Sequence, residues 1–424
     1  MQILSKFFSD IIKSVSSSGV QFAIMMVTTP LMTRLYNPAA YSAFGVVHSI
    51  AIAVIGVGLL SLPNVYPQER DTAKRAALVQ AMSIMLLVLV VLSAVAAVVM
   101  AAFNIFDFGF ATLALLPLLV ATFGIRQIMV SVATECGDFN SLSLGQIVEP
   151  ATARSGAVAF GILSGGHPAF ILFSVAVGHL ATAFTVAKMT LKEQLHQWRS
   201  LLDIHINPLR VLRQYMDFVV FNTASQQSQM LAMLAIQLLM VAFFSNDMGG
   251  QYILAISILN MPVSLVALAT APVLYRHFIE VAETNPRQLT QDVSRATGVY
   301  LLVGFVVMCP LFFFGEEIFQ FIFGPVWGPA GHIAGILSIS YVGSFALIGV
   351  SSVFRIARRL KLQFYLELFT AILMVAVAWL HFGSLDIYAA VLDLSIIWTA
   401  RNVMMLVACI AVTRFPADDV SRVT

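Results

Sequence analysis

Two arginines lie deep within apolar stretches of the chain, where a charged side chain needs a polar partner. Arg126 and Arg154 belong to the segment 122–165, which reads TFGIRQIMVSVATECGDFNSLSLGQIVEPATARSGAVAFGILSG. A guanidinium at mid-bilayer depth costs about 2.5 to 3.5 kcal/mol on insertion scales, so it is usually tolerated only beside a polar cavity or a partner. We therefore expect a polar cavity that receives an anionic ligand.

The composition indicates an integral membrane protein. Hydrophobic residues make up 59% of the 424 residues and charged residues only 10%, against roughly 25% charged residues in soluble domains. The three cysteines, Cys136, Cys309 and Cys409, have no disulfide or metal-ligand spacing, and we expect no metal and no cofactor. No nucleophile elbow, P-loop or dinucleotide fingerprint occurs in a plausible context, so transport is favoured over catalysis, and we expect no nucleic-acid partner.

Apolar runs bounded by charged residues, Pro, Gly or Asn predict an all-α polytopic fold with about twelve transmembrane helices. The run at 15–35 is full-length and has no clean cleavage site after it, so we interpret it as a membrane span rather than a signal peptide. The predicted spans are about 15–35, 42–62, 77–103, 111–133, 143–164, 170–190, 216–243, 250–275, 297–314, 332–354, 362–382 and 386–412.

The basic residues predict the orientation of these spans. If the N-terminus is cytoplasmic, 19 of the 23 Lys and Arg residues lie in cytoplasmic segments, and only Arg34 lies on the opposite side. The other three, Arg126, Arg154 and Arg401, fall within spans. Such an excess of positive charge on one side favours cytoplasmic N- and C-termini.

The longest connection divides the chain into two halves of six spans. We predict an N-terminal lobe at 1–190, a cytoplasmic interfacial linker at 191–215 and a C-terminal lobe at 216–424. A weak internal repeat at an offset of 208 residues, which aligns Ser18 with Gln226 and Gln21 with Gln229, supports two halves of equal orientation. Chance matching of apolar helices is the alternative.

Each half opens with a helix that carries a polar stripe. The stripe residues recur at helical spacing, so they share one face, and amide-rich faces suit hydroxyl-rich ligands. Ordinary hydrogen bonding between packed helices is the alternative. The stripes consist of Ser14, Ser18 and Gln21 in the first span and Asn222, Gln226, Gln229 and Gln237 in the seventh.

Depth along the helices separates the buried cations. Arg126 and Glu149 lie about 10 Å and 9 Å from the cytoplasmic ends of neighbouring spans, at 1.5 Å per residue, so an ion pair between them is as plausible as a functional role. Arg154 lies about 16 Å deep with no acid at its level on the fourth span.

The second half has its own buried cation, Arg401. Asp393 lies two turns before it, and Glu367 falls near the cytoplasmic end of its span, where Arg358 or Lys361 can pair with it. The histidines of the first half, His48 and His179, suggest either buried hydrogen bonding or proton coupling.

Three segments resemble polysaccharide-export flippases of the Wzx type. They are GVQFAIMMVTTPLMTRLYNPAAYSAFGVVHSI (19–50), DFVVFNTASQQSQMLAMLAIQLLMVAFFSNDMGGQYILAISILNMPVSLVALATAPVLYRHF (217–278) and FGPVWGPAGHIAGILS (323–338). The similarity covers nearly the whole chain, although Ser42 stands where many relatives have glycine.

The resemblance implies the fold of the multidrug/oligosaccharidyl-lipid/polysaccharide (MOP) superfamily, with two six-helix lobes around a central cavity. It also implies an oligosaccharide on undecaprenyl pyrophosphate as substrate, membrane lipids and other polysaccharide-assembly proteins as partners, and the bacterial inner membrane as location. We expect Arg154 and Arg401 to contact the headgroup. A drug or ion exporter of the same superfamily, and a membrane polymerase or ligase, are the alternatives.

Overall fold

The computed structural model describes residues 2–201, 208–357, 359–381 and 386–414. Side chains are described in these ranges except at 2–16, 191–201, 208–212, 217–222, 225–226, 269, 286–287, 381 and 414. The described residues form helices and connecting turns, with no strand among them. This result confirms the predicted all-α fold class.

Twelve long helices make up most of the described part of the chain. Each predicted span overlaps one of them, and the tenth, 332–354, continues past the end of its helix at Ala346 into short helical turns. The helices are α1 (Gln2–Leu35), α2 (Pro38–Gly58), α3 (Thr72–Ala102), α4 (Leu116–Glu135), α5 (Phe139–Ser164), α6 (Pro168–Leu201), α7 (Pro208–Phe243), α8 (Asn246–Thr284), α9 (Pro286–Phe323), α10 (Gly328–Ala346), α11 (Leu360–His381) and α12 (Ile387–Arg414). Short helical turns lie between them at Leu62–Val65, Tyr66–Gln68, Ile105–Asp107, Phe110–Leu113, Pro325–Trp327, Val350–Ser352 and Val353–Ile356.

Hydropathy distinguishes these helices from one another. Among the described residues, eight stretches are long and apolar enough to cross a membrane, or nine if the bent pair Pro325–Ala346 and Val350–Ile356 counts as one span. The protein is therefore a multi-pass membrane protein. Helix α5 is outside this set, because Glu149, Arg154 and several amides and hydroxyls lower its hydropathy. Helix α5 thus carries two charged residues, Glu149 and Arg154, in a stretch less apolar than those eight.

Local sequence signals explain where several helices begin. The side chain of Asn37 accepts a hydrogen bond from the backbone N–H of Ala40, and Pro38 occupies the first turn of α2. Asp138 caps α5 in the same way through the N–H of Ser141 at 3.1 Å. These caps fix the starts of helices that carry candidate site residues.

The chain forms two compact units, Met1–Leu234 and Ala235–Thr424, with α7 running across the boundary. In the first unit, α5 packs against α1 and α6, and α4 packs against α2, α3 and α6. In the second unit, α10 packs against α8, α9 and α12. The predicted linker division and the cavity between lobes stay predictions.

Close backbone contact joins α9 to α10. A methyl group on Gly331 would lie 2.2 Å from the carbonyl oxygen of Gly315, so only glycine fits at this crossing. The sequence GHIAG therefore acts as a helix-packing motif, as its small-residue spacing predicts.

Candidate functional site

An ion pair and a histidine form the centre of a charge network in the first unit. Nη2 of Arg126 on α4 lies 2.6 Å from Oε2 of Glu149 on α5, so the ion pair that the sequence left as one of two alternatives is present in the structure. The other carboxylate oxygen lies 3.5 Å from Nε2 of His179 on α6. His179 is 2% exposed, and its Nδ1 lies 3.5 Å from the hydroxyl of Thr122. The carboxylate of Glu149 thus contacts side chains from two neighbouring helices, α4 and α6.

Aromatic rings surround this network. His179 lies against Phe123 and His48, with ring centroids 5.2 and 6.4 Å apart, and His48 stacks on Phe44. The guanidinium of Arg126 lies over the ring of Phe123, 5.7 Å from its centroid. Both candidate histidines therefore belong to one packed cluster of α2, α4 and α6. In this cluster an imidazole can act either as a hydrogen-bonding group or as a proton carrier.

Arg154 lies on the same helix as Glu149 but has different neighbours. Its Nη1 lies 3.5 Å from the hydroxyl of Thr29 and 3.4 Å from the sulfur of Met32, both on α1, and its guanidinium also interacts with the side chain of Tyr41 on α2. All three neighbours are uncharged. Among the described residues, no carboxylate lies within ion-pair distance of Arg154.

The charges of this region do not cancel. Glu149 neutralises Arg126 through a short contact, whereas Arg154 keeps its positive charge beside groups that offer only dipoles. A buried charge without a partner is costly in a low-dielectric medium. The guanidinium of Arg154 therefore has forked donors that can bind an oxyanion.

Arg401 in the second unit lies beside Glu367, an acid expected from the sequence to pair with Arg358 or Lys361. Nη2 of Arg401 on α12 lies 3.8 Å from Oε1 of Glu367 on α11, and both side chains are nearly buried, at 11% and 12% exposure. Nη1 donates to the side chain of Asn402 at 3.0 Å. Asp393 is a half-buried residue of the same helix. Arg154 and Arg401 are thus not equivalent sites.

The polar stripes have mixed surroundings. The hydroxyls of Ser17 and Ser18 on α1 donate to Oε1 of Gln146 on α5 at 2.9 and 3.4 Å, so this part of the first stripe joins packed helices. Three other stripe residues, Gln21, Gln229 and Gln237, are half-buried amides, and the buried side-chain oxygen of Gln237 has no hydrogen-bond partner among the described residues. The remaining three, Ser14, Asn222 and Gln226, have side chains outside the described set.

Sequence reasoning missed the neutral neighbours of Arg154 and the acid beside Arg401. Tyr41 lies in the NPAAYSAF segment, whose spacing gives no sign of a polar contact to α5. No group of three or more His, Cys, Asp or Glu residues suited to a metal ion occurs in the described part of the chain.

Comparison with known proteins gives matches in structure only. No protein-family model matches the sequence, and no curated protein matches it. A multidrug resistance transporter of the MATE family, solved in an inward-facing conformation, is similar with a TM-score of 0.73 and 15% identity, over 96% of this chain and 99% of that one. The lipid II flippase MurJ in an inward closed conformation is similar with a TM-score of 0.71 and 14% identity, over 94% and 87% of the two chains.

A third similar structure is a MOP superfamily transporter from Pyrococcus furiosus, with a TM-score of 0.57, 14% identity and 96% of each chain covered. All three are membrane transporters or flippases rather than enzymes. This protein therefore has the fold of the MOP transporter superfamily.

Proposed function

We propose that the protein is a flippase that moves oligosaccharides linked to undecaprenyl pyrophosphate from the cytoplasmic to the periplasmic leaflet of a bacterial inner membrane. The observation that carries this proposal is the guanidinium of Arg154, which contacts Thr29, Met32 and Tyr41 but no described carboxylate. A pyrophosphate supplies the oxyanions that such a group binds. The fold shared with a lipid II flippase supports the same class of substrate.

The roles of the charged residues follow from their partners. Arg154 is the leading headgroup contact because its charge is available to a ligand. Arg401 can contribute only by sharing its charge with Glu367, since the two lie 3.8 Å apart. Arg126 and Glu149 hold α4, α5 and α6 together through their contact and through His179. The substrate's negative charge would also gain about 2.3 kcal/mol per charge on moving outward across an inside-negative potential of 100 mV.

A drug exporter is the second candidate, since the fold is equally that of multidrug transporters. Glu149 is the observation that favours it, because a half-buried carboxylate beside a histidine is suited to a cationic drug or to proton exchange. In that case Glu149 would have to release Arg126 during transport.

One experiment separates the two functions. The gene is expressed in a strain that lacks its own polysaccharide flippase and, in parallel, in a strain that lacks its drug efflux pumps. Restored surface polysaccharide, with loss of lipid-linked units from the cytoplasmic leaflet, is expected for a flippase. Increased resistance to cationic drugs without restored polysaccharide would refute it. Because sugar specificity differs among such proteins, several recipient strains with different repeat units are tested.

A further inference from the structure

A small cavity in the first unit is built from α2, the turn after it, α4 and α7. Its volume is about 140 Å³, and its lining includes Gly56, Ser61, Phe123, Gln127, Gln227 and Met230. A single buried water needs only about 10 to 15 Å³ of such volume, whereas sites for drug-sized ligands span about 300 to 1,000 Å³. The cavity therefore has room for one ring, and not for a whole oligosaccharide.

Three of the four polar side chains that line this cavity, Asn64, Gln127 and Gln227, are amides, and the fourth is the hydroxyl of Ser61. The side-chain oxygen of Gln227 is buried and has no hydrogen-bond partner among the described residues, and the amide of Gln127 lines the same cavity. An amide carries both donors and an acceptor, which is the complement of a hydroxyl group. Leaving a buried amide unpaired costs free energy, so a polar ligand would stabilise this arrangement.

The lining excludes a charged ligand. None of the described residues around the cavity is ionisable. Arg126, which contacts the ring of the lining residue Phe123, is already paired with Glu149 at 2.6 Å. An apolar wall with a few polar groups is the usual design of a specific binding site for a neutral molecule.

The structure holds the Gln227 amide in position. A methyl group on Gly56 would lie 2.4 Å from the side-chain oxygen of Gln227, so the glycine leaves room for the amide against α2. One turn earlier on α7, the hydroxyl of Thr223 donates to the hydroxyl of Ser61 at 2.9 Å, and both residues are buried. Helix α7 is thus fixed next to the cavity, which reduces the ordering cost of ligand binding.

We infer that this cavity is a subsite for one neutral, hydroxyl-bearing sugar ring of the transported lipid, with Gln127 and Gln227 as its hydrogen-bonding residues. The inference rests on the proposed function and extends it. The charged headgroup contact at Arg154 and the neutral sugar contact here are separate sets of side chains within one unit.

Native mass spectrometry of the purified full-length protein tests the subsite. The probes are undecaprenyl pyrophosphate and its derivatives that carry one glucose, galactose or N-acetylglucosamine. Wild type is expected to prefer at least one glycosylated lipid over the bare lipid by about 5- to 30-fold, the range expected for one or two net hydrogen bonds. The Gln127→Ala/Gln227→Ala variant is expected to lose this preference and to keep wild-type affinity for the bare lipid, which also shows that it is folded.

Two further variants sharpen the result. Gly56→Ala keeps both amides but displaces that of Gln227, and it is expected to weaken the preference as well. Gln320→Ala removes an exposed amide in the second unit, bonded to Glu316 at 3.1 Å, and is expected to bind as wild type does.

Each contrary outcome has a distinct meaning. A double variant that keeps the sugar preference, or a wild-type protein that binds all four lipids equally, overturns the subsite and leaves the flippase proposal standing. A wild-type protein that binds none of the four lipids overturns both.

Discussion

The ion pair between Arg126 and Glu149 gives the most detailed prediction about this protein. At 2.6 Å and an effective dielectric constant of about 20, the attraction is about 6 kcal/mol before desolvation is subtracted. Removing one partner from a fully buried pair costs about 3 to 5 kcal/mol. Because these side chains keep 22% and 25% exposure, we expect about 2 to 3 kcal/mol here.

The two single variants are expected to differ. Arg126→Ala leaves the carboxylate of Glu149 with His179, and the positive charge of Arg154 remains on the same helix. Glu149→Ala removes the carboxylate and leaves two guanidiniums, Arg126 and Arg154, so it is expected to be the more damaging change. The double variant Arg126→Ala/Glu149→Ala is expected to recover much of the loss, since it leaves no unpaired charge of this pair.

Thermal unfolding of the purified variants, with their abundance in the membrane, measures these differences. With an unfolding entropy of about 2.1 cal/mol/K per residue, 2 to 3 kcal/mol shifts the Tm of a chain of this length by about 2 to 3 °C. The exposed pair Arg276 and Glu280, 3.0 Å apart at 53% and 61% exposure, is the matched control and is expected to contribute 0 to about 1 kcal/mol. Additive losses in the double variant, or a larger loss for Arg126→Ala than for Glu149→Ala, would contradict this reasoning.

Two further predictions concern the turn before α3 and the crossing of α9 and α10. Burial alone would raise the pKa of Glu69, but hydrogen bonds from the Tyr215 hydroxyl and from the backbone N–H groups of Asp71 and Arg70 lower the pKa overall. These hydrogen bonds therefore stabilise the folded protein at pH values above the ordinary pKa of 4.5. The stabilisation is lost as the pH falls through the lower pKa of the folded state. Tyr215→Phe is therefore expected to lower thermal stability at pH 7 and to match wild type once Glu69 is protonated; an equal loss at every pH would refute the contact's ionic character. At the crossing of α9 and α10, Gly331→Ala is expected to cost at least about 1 to 3 kcal/mol because its methyl group meets backbone, measured as reduced abundance and Tm. The matched change Gly298→Ala, on α9 with open space around it, is expected to be neutral or stabilising, and equal effects of the two would argue against the close crossing.

The sequence predicts the helices well because hydropathy acts on long segments. All twelve spans overlap long helices, but α8 and α9 extend over 39 and 38 residues, well beyond the roughly 20 that cross a hydrocarbon core. Charged residues ended the predicted spans there, whereas in the structure His277 and Asp292 lie 3.1 Å apart on these extensions. Hydropathy locates the membrane boundary and not the end of the helix.

Depth arithmetic succeeded for one buried pair and failed for the other. Arg126 and Glu149 lie at equal depth on adjacent helices, so rise per residue brings them together. Glu367 and Arg401 lie about 10 Å and 20 Å from the ends of α11 and α12 at Leu360 and Arg414, and straight parallel helices would keep them apart. The two groups nevertheless lie 3.8 Å apart, because residue spacing along each helix does not encode how two neighbouring helices are offset along their axes.

The neutral contacts of Arg154 were also beyond sequence reasoning. Its neighbours Thr29, Met32 and Tyr41 come from two helices whose rotation about their own axes is set by packing. The sequence predicts no acid at the level of Arg154 on α4, and among the described residues no carboxylate lies within ion-pair distance of it.

Arg154 provides the most direct test of the central claim. The measurement is the fraction of lipid-linked oligosaccharide that remains on the cytoplasmic leaflet of a complemented flippase-deficient strain, with protein abundance quantified in parallel. Arg154→Ala, alone and with Arg401→Ala, is expected to leave most of the lipid on that leaflet at normal abundance. Arg154→Lys is expected to restore part of the export, and the control Arg295→Ala, whose side chain is 78% exposed, is expected to export as wild type does. Full export by the Arg154→Ala/Arg401→Ala variant at normal abundance would contradict the assignment of the headgroup site.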